Sequence, residues 1–391
     1  MAAAGGRVAG PERERAALLA LALSMFSLAT VSLAVLGIGA EVARSFGVAP
    51  GAAGLLVTAF ALPYAALAPL LQWWSGGRFG PRALVVGGTL LTACGLGLTA
   101  AAPGWGWLLL GRGVTAAGGA LLAPAALAAA TNLAPPEQRG RALATVFGGF
   151  TLASVVGVPL ATQLGFLLGW RGTLLAVAAL ALATAMAAHR ALPPMPAAER
   201  LGRGAWAALL RRPAVLGLLG GGAAQLAAQF VALGVMPALL VDHFGLGAPW
   251  LPLAVLAFGL GGVLGNWLGG RWTDRAAPAA PLRASFVGLA LVFAALSLPL
   301  GGWGGAAALA ALAVCGTLFR PPQLVLLTRL ASAEERAPVL GLNTAAGYVG
   351  LAVGSALGAF VAARLGFGAL GWAGLALLAV AWFPLRRAGR G

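Results

Sequence analysis

Charge is the scarcest property of this sequence. Only 9% of its 391 residues are charged, compared with roughly 25% in a soluble domain. Hydrophobic residues make up 60% of the chain, and the mean hydropathy is +0.93. The chain therefore lacks the polar surface of a soluble protein of this length. What it has instead are apolar runs of about 18 residues or more, repeated from end to end, which predict an all-α polytopic membrane protein.

Lysine is absent, so all 25 basic residues are arginines, and nine acids leave a net charge of +16. The arginines lie in short clusters between apolar runs, which membrane topology explains better than a phosphate-binding face does. We therefore expect no nucleic-acid partner. Cysteine is also scarce, and Cys94 and Cys315 both fall inside apolar runs without metal-ligand spacing. We interpret them as small core residues and expect no metal site and no cofactor.

Charged, proline and glycine clusters divide the chain into twelve apolar spans. Each is long enough to cross a hydrocarbon core of about 30 Å at about 1.5 Å per residue. The spans must be helices, because lipid offers no partner to free backbone groups. The basic N-terminus precedes a retained first span rather than a cleaved signal peptide. The predicted spans are 16–40, 51–73, 83–102, 106–132, 141–165, 171–190, 213–241, 249–270, 283–300, 305–330, 339–363 and 367–385.

The distribution of arginine predicts the orientation of the chain. If the N-terminus is cytoplasmic, twenty arginines fall on cytoplasmic segments, and only Arg44, Arg171 and Arg364 fall on outer loops. The other two, Arg112 and Arg320, lie within spans. By the positive-inside rule, both termini are predicted to face the cytoplasm.

The sequence also repeats itself at an offset of 197 residues. This offset superimposes PEQRGRAL at 136–143 on AEERAPVL at 333–340. With a slip of one or two residues it also brings SFGVAP at 45–50 onto HFGLGAP at 243–249. Matched loops at nearly one offset indicate two homologous six-helix halves.

The predicted halves are residues 1–190 and residues 213–391, the second ending in a short cytoplasmic tail. Residues 191–212 join them as a cytoplasmic linker rich in proline and arginine. Two parallel six-helix repeats around a central cavity are the architecture of major facilitator transporters.

Several motifs resemble those of this superfamily. SGGRFGPR at 75–82 is similar to its signature loop, although Gly77 stands where the family has an acid. The second copy, Gly270-x-x-x-Asp274-Arg275, fits better. Spans 4, 5 and 11 resemble those of bacterial arabinose, sugar and drug efflux permeases. The similar segments are GRGVTAAGGA at 111–120, GGFTLASVVGVPLATQLGFLLGWR at 148–171 and LGLNTAAGYVGLAVGSALGAF at 340–360.

The resemblance implies a monomeric secondary active transporter in the lipid bilayer of a bacterial cytoplasmic membrane. It would export a small organic molecule of sugar, drug or metabolite type by alternating access, with or without proton coupling. A facilitated-diffusion uniporter or an importer is the alternative. An intramembrane enzyme is disfavoured, because no span holds a His–carboxylate cluster, a Ser–His set or a cysteine pair. A membrane receptor is disfavoured because no loop is long enough for a soluble domain.

In the superfamily, the signature loop closes the cytoplasmic side. The twofold relation predicts Asp274 near the start of span 5, while Arg78 and Arg82 face the start of span 11. The alternative is that Asp274 caps only its own turn. Gly157 and Pro159 permit close packing and a bend in span 5, with packing alone as the alternative. The gating candidates are Arg78, Arg82, Glu137, Arg139, Arg141, Gly157, Pro159, Asp274, Arg275, Glu334, Glu335 and Arg336.

Two arginines inside spans are the most informative candidates for a substrate site. A charge at the membrane centre costs at least about 2.5–3.5 kcal/mol, so each should face a cavity or a partner, unless it reaches the membrane surface. For the polar residues, helix–helix hydrogen bonding is the alternative. The substrate-binding candidates are Thr30, Ser32, Tyr64, Arg112, Thr115, Gln163, Gln225, Gln229, Asn266, Thr317, Arg320, Asn343 and Tyr348.

None of the nine acids lies in the middle of a span. The resembling permeases usually carry an acid in span 1, where this chain has Ser32. Glu41 and Asp242, near the outer ends of spans 1 and 7, are the remaining candidates for proton coupling. A cavity with arginines and no acid is predicted to favour neutral or anionic substrates over cations.

Overall fold

The computed structural model describes residues 11–49, 52–75, 78–135, 139–197, 211–275, 277–331 and 336–388. Within these ranges the chain is helical and contains no β-strand. Ten of the described helices are long and apolar enough to cross a membrane, and Phe367–Phe383 is a shorter apolar helix. The expected all-α polytopic architecture is confirmed.

Each predicted span contains a helix, which we number in chain order. In the first half of the chain, α1 is Pro11–Leu33 continued by Val35–Ser45, α2 is Ala53–Ser75, α3 is Pro81–Ala100, α4 is Trp105–Leu133, α5 is Arg139–Leu152 with the π-helical turn Ala153–Gly157 and residues 158–168, and α6 is residues 170–191. In the second half, α7 is Pro213–Leu233 continued by Met236–Ala238 and Leu239–His243, α8 is Leu251–Arg275, α9 is Ala279–Leu296, α10 is Gly301–Leu318 continued by Arg320–Arg329, α11 is Arg336–Arg364, and α12 is Leu370–Ala388.

A glycine separates α5 from α6. The continuous apolar stretch Thr145–Ala191 has 47 residues, and a straight helix of that length would run about 70 Å, more than twice a hydrocarbon core. Gly169 interrupts it with φ 67° and ψ 169°. This left-handed conformation is costly for residues with a Cβ, so glycine is the residue that can end one span and begin the next here.

Stripes of glycine let neighbouring helices touch backbone to backbone. A Cβ at any glycine of the stripe on α8 would collide with a carbonyl of α10, and a similar stripe on α11 faces carbonyls of α7. Small residues allow this close approach, which gives van der Waals packing where lipid provides no hydrophobic drive. The α8 stripe is Gly261, Gly265 and Gly269, against Ala310, Val314 and Leu318; the α11 stripe is Gly350, Gly354 and Gly358, against Ala223, Ala227 and Val231.

Two buried apolar clusters form the core. One consists of residues from the first six helices, with Tyr348 of α11 packed against it. The other joins residues of both halves of the chain, and its members from α1 to α6 lie toward the end of those helices that the arginine count predicts to be outer. We call this end the predicted outer side. The two halves therefore share this core on the predicted outer side, while its members in the second half continue to the predicted cytoplasmic side, as Val215, Leu327 and Val339 show.

Some of the predicted features fall outside the described residues. These are Glu137, Glu334 and Glu335, and residues 198–210 of the predicted linker.

Candidate functional site

Helices α2 and α11 pack against each other from the predicted outer side to the middle of the chain. Gly54 packs against the backbone of Ser355. One turn deeper, the Thr58 hydroxyl donates to the Ala352 carbonyl at 3.0 Å. Farther toward the middle of the chain, Tyr64 stacks on Tyr348, with ring centroids 4.0 Å apart and an interplanar angle of 30°.

Tyr64 and Tyr348 are the only two tyrosines of the sequence. Phe60 packs beside both, with centroid distances of 5.9 Å to Tyr64 and 6.2 Å to Tyr348. We call these three rings the aromatic cluster. Offset aromatic pairs contribute about 0.5–1.5 kcal/mol beyond the area they bury. The structure thus brings two predicted site residues together and adds Phe60, which the sequence had not indicated.

Arg112 is held by backbone carbonyls. Its side chain is 1% exposed. Nε donates to the Leu56 carbonyl at 3.1 Å, and Nη1 and Nη2 donate to the carbonyls of Val31 and Ser32 at 3.0 and 3.4 Å. The guanidinium also lies 5.0 Å from the centre of the Phe60 ring. Helix α1 is interrupted at residue 34, just after these carbonyls, so Arg112 ties α4 to the interruption in α1 and to α2.

Arg320 has a different environment. It follows the interruption of α10 at Phe319 and is half-buried. Arg320 makes no hydrogen bond or ion pair with any residue in the described part of the chain. Arg112 is therefore held by protein acceptors, whereas Arg320 has none among the described residues.

Buried amides connect α7, α10 and α11. Gln225 donates to the Gly316 carbonyl at 3.2 Å. Gln323 donates to the Leu218 carbonyl at 2.9 Å and to the Asn343 side-chain oxygen at 3.1 Å. Gln323 was not among the predicted site residues, although its position directly after the Pro-Pro pair that follows Arg320 was a usable signal. Gln225, Gln229, Gln323 and Asn343 are all buried, and Gln229 packs against Gly316.

The predicted hydroxyl residues bond to backbone carbonyls. Thr30, Ser32 and Thr115 each donate to the carbonyl one turn earlier in their own helix. Thr317 donates at 2.8 Å both to Ala313 of α10 and to Gly262 of α8. Only the Thr317 bond to Gly262 joins two helices, as the alternative of helix–helix hydrogen bonding describes, and the bonds of Thr30, Ser32 and Thr115 stay within one helix. The predicted residues Gln163 and Asn266 are exposed and have no hydrogen bond to a described residue.

An ion pair joins the ends of α1 and α7 on the predicted outer side. Arg44 Nη2 lies 3.0 Å from Asp242 Oδ1 and 3.3 Å from Oδ2. Three residues earlier, the Glu41 carboxylate accepts the backbone N–H of Trp170 at 3.3 Å, at the start of α6. Both predicted coupling residues therefore lie at one edge, and a cavity between α1, α5, α7 and α8 reaches Glu41 and Arg44.

Comparison with known proteins decides the family. A sequence model of the Major Facilitator Superfamily matches residues 17–320. This chain belongs to the Major Facilitator Superfamily. It is 33% identical over 383 residues to a chloramphenicol resistance protein of Streptomyces lividans, covering 94% of this chain and 95% of that one. It is 31% identical over 282 residues to a chloramphenicol efflux pump of Mycobacterium tuberculosis, covering 71% and 67%.

The fold agrees with the family. A crystal structure of a bacterial homologue of the human lysosomal transporter Spinster, in an inward-facing and unoccupied conformation, superimposes with a TM-score of 0.72. The sequence identity is 18%, and the match covers 97% of this chain and 94% of that one. The protein is a multi-pass membrane transporter and not an enzyme, as the sequence resemblance predicted.

The gating candidates of this Major Facilitator transporter are only partly described. Arg78 donates to the Trp74 carbonyl at 3.2 Å, and Arg82 donates to the His189 carbonyl at 2.7 Å. The acids that we expected opposite them are outside the described residues, as are the side chains of Asp274, Arg139, Arg141 and Arg336. Arg275 is exposed at the end of α8. The cytoplasmic gate therefore stays a prediction.

The middle of α5 is described in full. A π-helical turn covers Ala153–Gly157, and Pro159 follows it. Proline lacks the N–H that a regular helix would use at this point, and π turns accommodate such a missing bond. Gly157 packs against the Thr30 hydroxyl of α1, and the Ser154 backbone packs against Gly259 of α8. This irregular segment thus contacts both halves of the transporter.

Proposed function

We propose that this Major Facilitator transporter exports small uncharged or anionic aromatic compounds, chloramphenicol among them, by alternating access. The observation that carries the proposal is the middle of the molecule, where the Arg112 guanidinium lies against Phe60 of the aromatic cluster and the sequence places no acid in any predicted span. The names of the two relatives at 33% and 31% identity support efflux of chloramphenicol.

The contacts on the predicted outer side support alternating access. Helices α1 and α7 meet through Arg44 and Asp242, and α2 and α11 meet through Thr58 and Ala352. In this conformation the predicted outer side is closed above the aromatic cluster. Rocking of residues 1–190 against residues 213–391, joined by the linker at 191–212, would break these contacts and expose the middle to the outside.

We further propose a monomer in the bacterial cytoplasmic membrane with both termini in the cytoplasm. The arginine distribution supports this topology. Fusion of alkaline phosphatase after residue 391 tests it, since the reporter is expected to be inactive there and active when fused within the loop between α7 and α8.

Reconstituted vesicles test the transport proposal. Chloramphenicol flux into proteoliposomes is expected to exceed flux into protein-free vesicles and to saturate, whereas ethidium, a lipophilic cation, is expected not to move. Equal flux with and without protein, or strong ethidium transport, would contradict the proposal.

Two candidate functions, a proton antiporter and a uniporter, differ in whether protons drive the flux. A proton antiporter needs a group that titrates along the path, and Glu41 and Asp242 at the predicted outer side are the groups available. The absence of an acid within the spans favours a uniporter. An imposed pH gradient should drive chloramphenicol against its concentration gradient in the first case and leave the steady state unchanged in the second.

A further inference from the structure

The cavity on the predicted outer side is formed by different helices from the aromatic cluster. It is enclosed by α1, α5, α7, the turn Ala248–Trp250 and the first residue of α8. Among the described residues, none from α2, α4, α10 or α11 lines it. With the open space at its mouth included, its volume is about 410 Å³, so it has room for a small organic molecule.

The lining of the cavity changes from apolar to charged toward the predicted outer side. Gly37 lies eight residues before the end of α1, about 12 Å along the helix, and Glu41 lies four residues before it, about 6 Å. The buried side chain of Ile38 and the exposed side chain of Phe166 add apolar surface. A molecule with one apolar and one charged end would match this order, with the charged end toward the membrane surface.

Glu41 is the group in the lining that can bind a cation. Its carboxylate accepts the Trp170 N–H at 3.3 Å and forms no ion pair with any described residue. An ionised carboxylate has about four acceptor sites, so most of its capacity is unused. Arg44 also lines the cavity, but its Nη2 binds Asp242. The chemistry of the lining therefore favours an ammonium group over a carboxylate.

We propose that this cavity is an inhibitory site for small amphiphilic amines, with the ammonium on Glu41 and the apolar group against Ile38 and Phe166. Both halves of the chain line it, as Thr162 of α5 and Val241 of α7 show. By the alternating access proposed above, opening the outer side would move these walls apart. A ligand that binds one conformation better holds the protein in it. The amine is thus bound without being carried.

Calorimetry on the purified full-length transporter in phosphatidylcholine nanodiscs tests the binding site. The probes are benzylamine, which is an ammonium ion at neutral pH, benzyl alcohol and benzoate, with empty nanodiscs as the blank. Benzylamine is expected to bind at least about ten-fold more tightly than the other two, because a hydrogen bond between charged groups contributes that much affinity. Glu41→Gln should remove the preference and leave benzyl alcohol unchanged. Glu12→Gln, an exposed acid at the other end of α1, is the control and should keep it.

Ala248→Leu places a larger side chain in the cavity and serves if Glu41→Gln does not fold. It should weaken benzylamine binding at least about ten-fold, because the added side chain occupies the ligand's space. A wild type without the preference, tighter binding of benzoate, or an unchanged preference in Glu41→Gln would overturn the site.

The inhibitory role is tested by labelling a cysteine placed at Thr58, in a background without Cys94 and Cys315. Benzylamine at ten times its Kd should slow the labelling by up to about ten-fold, and it should have no effect when Ala248→Leu is added. Unchanged labelling with benzylamine bound, or accumulation of labelled benzylamine in proteoliposomes, would overturn an inhibitory site. If benzylamine slows the labelling but the wild type moves no chloramphenicol, the site stands and the export function fails.

The same ammonium chemistry is present in the headgroup of phosphatidylethanolamine. Replacing phosphatidylcholine by this lipid in the nanodiscs distinguishes the two sources. We expect benzylamine binding to be unchanged, which would identify free amines as the ligand. A loss of at least about ten-fold would instead identify the lipid headgroup as the occupant of the same site.

Discussion

Arg44 and Asp242 occupy matching places in the two sequence repeats and bind each other across the predicted outer side. They are 198 residues apart, which is the offset that aligns SFGVAP with HFGLGAP. Residues close to a twofold axis face their own counterparts, so identical charges there would repel. An arginine in one repeat and an aspartate in the other turn that position into an attraction.

The ion pair is predicted to bias the transporter toward the closed outer side. Its side chains are 51% and 34% exposed, and exposed pairs contribute about 0.2–1 kcal/mol, at most about a five-fold change in an equilibrium. Arg44→Asp should raise the labelling rate of a cysteine placed at Thr58, in a background without Cys94 and Cys315, by up to that factor. The exchanged variant Arg44→Asp with Asp242→Arg should restore the slow rate. Equal rates in all three would contradict a role in closure.

A covalent link between positions 64 and 348 is predicted to stop transport. Tyr64→Cys with Tyr348→Cys, in the same cysteine-free background, should be bridged by a short bis-methanethiosulfonate reagent, because the two rings that the thiols replace stack at 4.0 Å. Flux should stop on cross-linking and return when the reagent's disulfides are reduced. Val349 is exposed beside Tyr348, so Tyr64→Cys with Val349→Cys is the control and should not cross-link. Continued flux in the cross-linked transporter would show that α2 and α11 do not separate during transport.

Arg112 is predicted to act in stability. Hydrogen bonds to charged groups contribute about 1.5–3 kcal/mol each, and Arg112→Leu leaves three buried carbonyls without this donor. The thermal midpoint in detergent should fall clearly for Arg112→Leu and less for Arg112→Lys. Arg320→Gln should leave the midpoint near that of the wild type. A midpoint unaffected by Arg112→Leu would contradict the structural role.

Two neighbouring glycines on α8 are predicted to respond oppositely to the same change. A Cβ on Gly265 meets the Val314 carbonyl and the Thr317 hydroxyl, whereas a Cβ on Gly262 makes only an ordinary contact with Thr317. Gly265→Ala should destabilise the protein by about 1–3 kcal/mol through overpacking. Gly262→Ala should be neutral or stabilising by up to about 1 kcal/mol, since alanine favours helix. Thermal unfolding of both variants makes the comparison, and equal effects would count against the close approach of α8 and α10.

Glu41 is predicted to carry the response to a pH gradient if the flux is proton-coupled. Its carboxylate accepts the Trp170 N–H and lies one turn before Arg44, which binds Asp242. Glu41→Gln should abolish gradient-driven accumulation of chloramphenicol while exchange of labelled for unlabelled compound continues. Asp242→Asn is the matched variant, and it should weaken closure without removing the response. A full response in Glu41→Gln would exclude Glu41 as the coupling group.

The helices could be predicted from the sequence because lipid imposes helical structure on any apolar run of sufficient length. The twelve predicted spans match the described helices within a few residues, and Gly169 falls in the predicted gap between spans 5 and 6. The difference between Arg112 and Arg320 could not be predicted. It depends on where α1 is interrupted and which carbonyls then face α4, and no local pattern encodes that.

The contacts within the site also could not be predicted from the sequence. Tyr64 and Tyr348 were each predicted as candidates, but their stacking depends on how α2 lies along α11. Gln323 lies three residues after Arg320, and only Arg320 was selected from this segment as a candidate. The Gln323 amide was recognised from its hydrogen bonds to Leu218 and Asn343 in the structure.

The glycine stripes also determine where the molecule is mechanically stiff. Three successive turns of α8 lie directly on α10, and three of α11 lie on α7, so these helices can slide or tilt little without steric collision. We expect each of these two helix pairs, α8 with α10 and α11 with α7, to move as a rigid unit. The contacts between α2 and α11 combine one glycine of this kind, Gly54 against the Ser355 backbone, with side-chain contacts of Thr58 and the two tyrosine rings, and rotamer changes can release the side-chain contacts within nanoseconds to microseconds. We therefore expect α2 and α11 to separate more readily than α8 from α10 or α11 from α7, because fewer backbone contacts hold them.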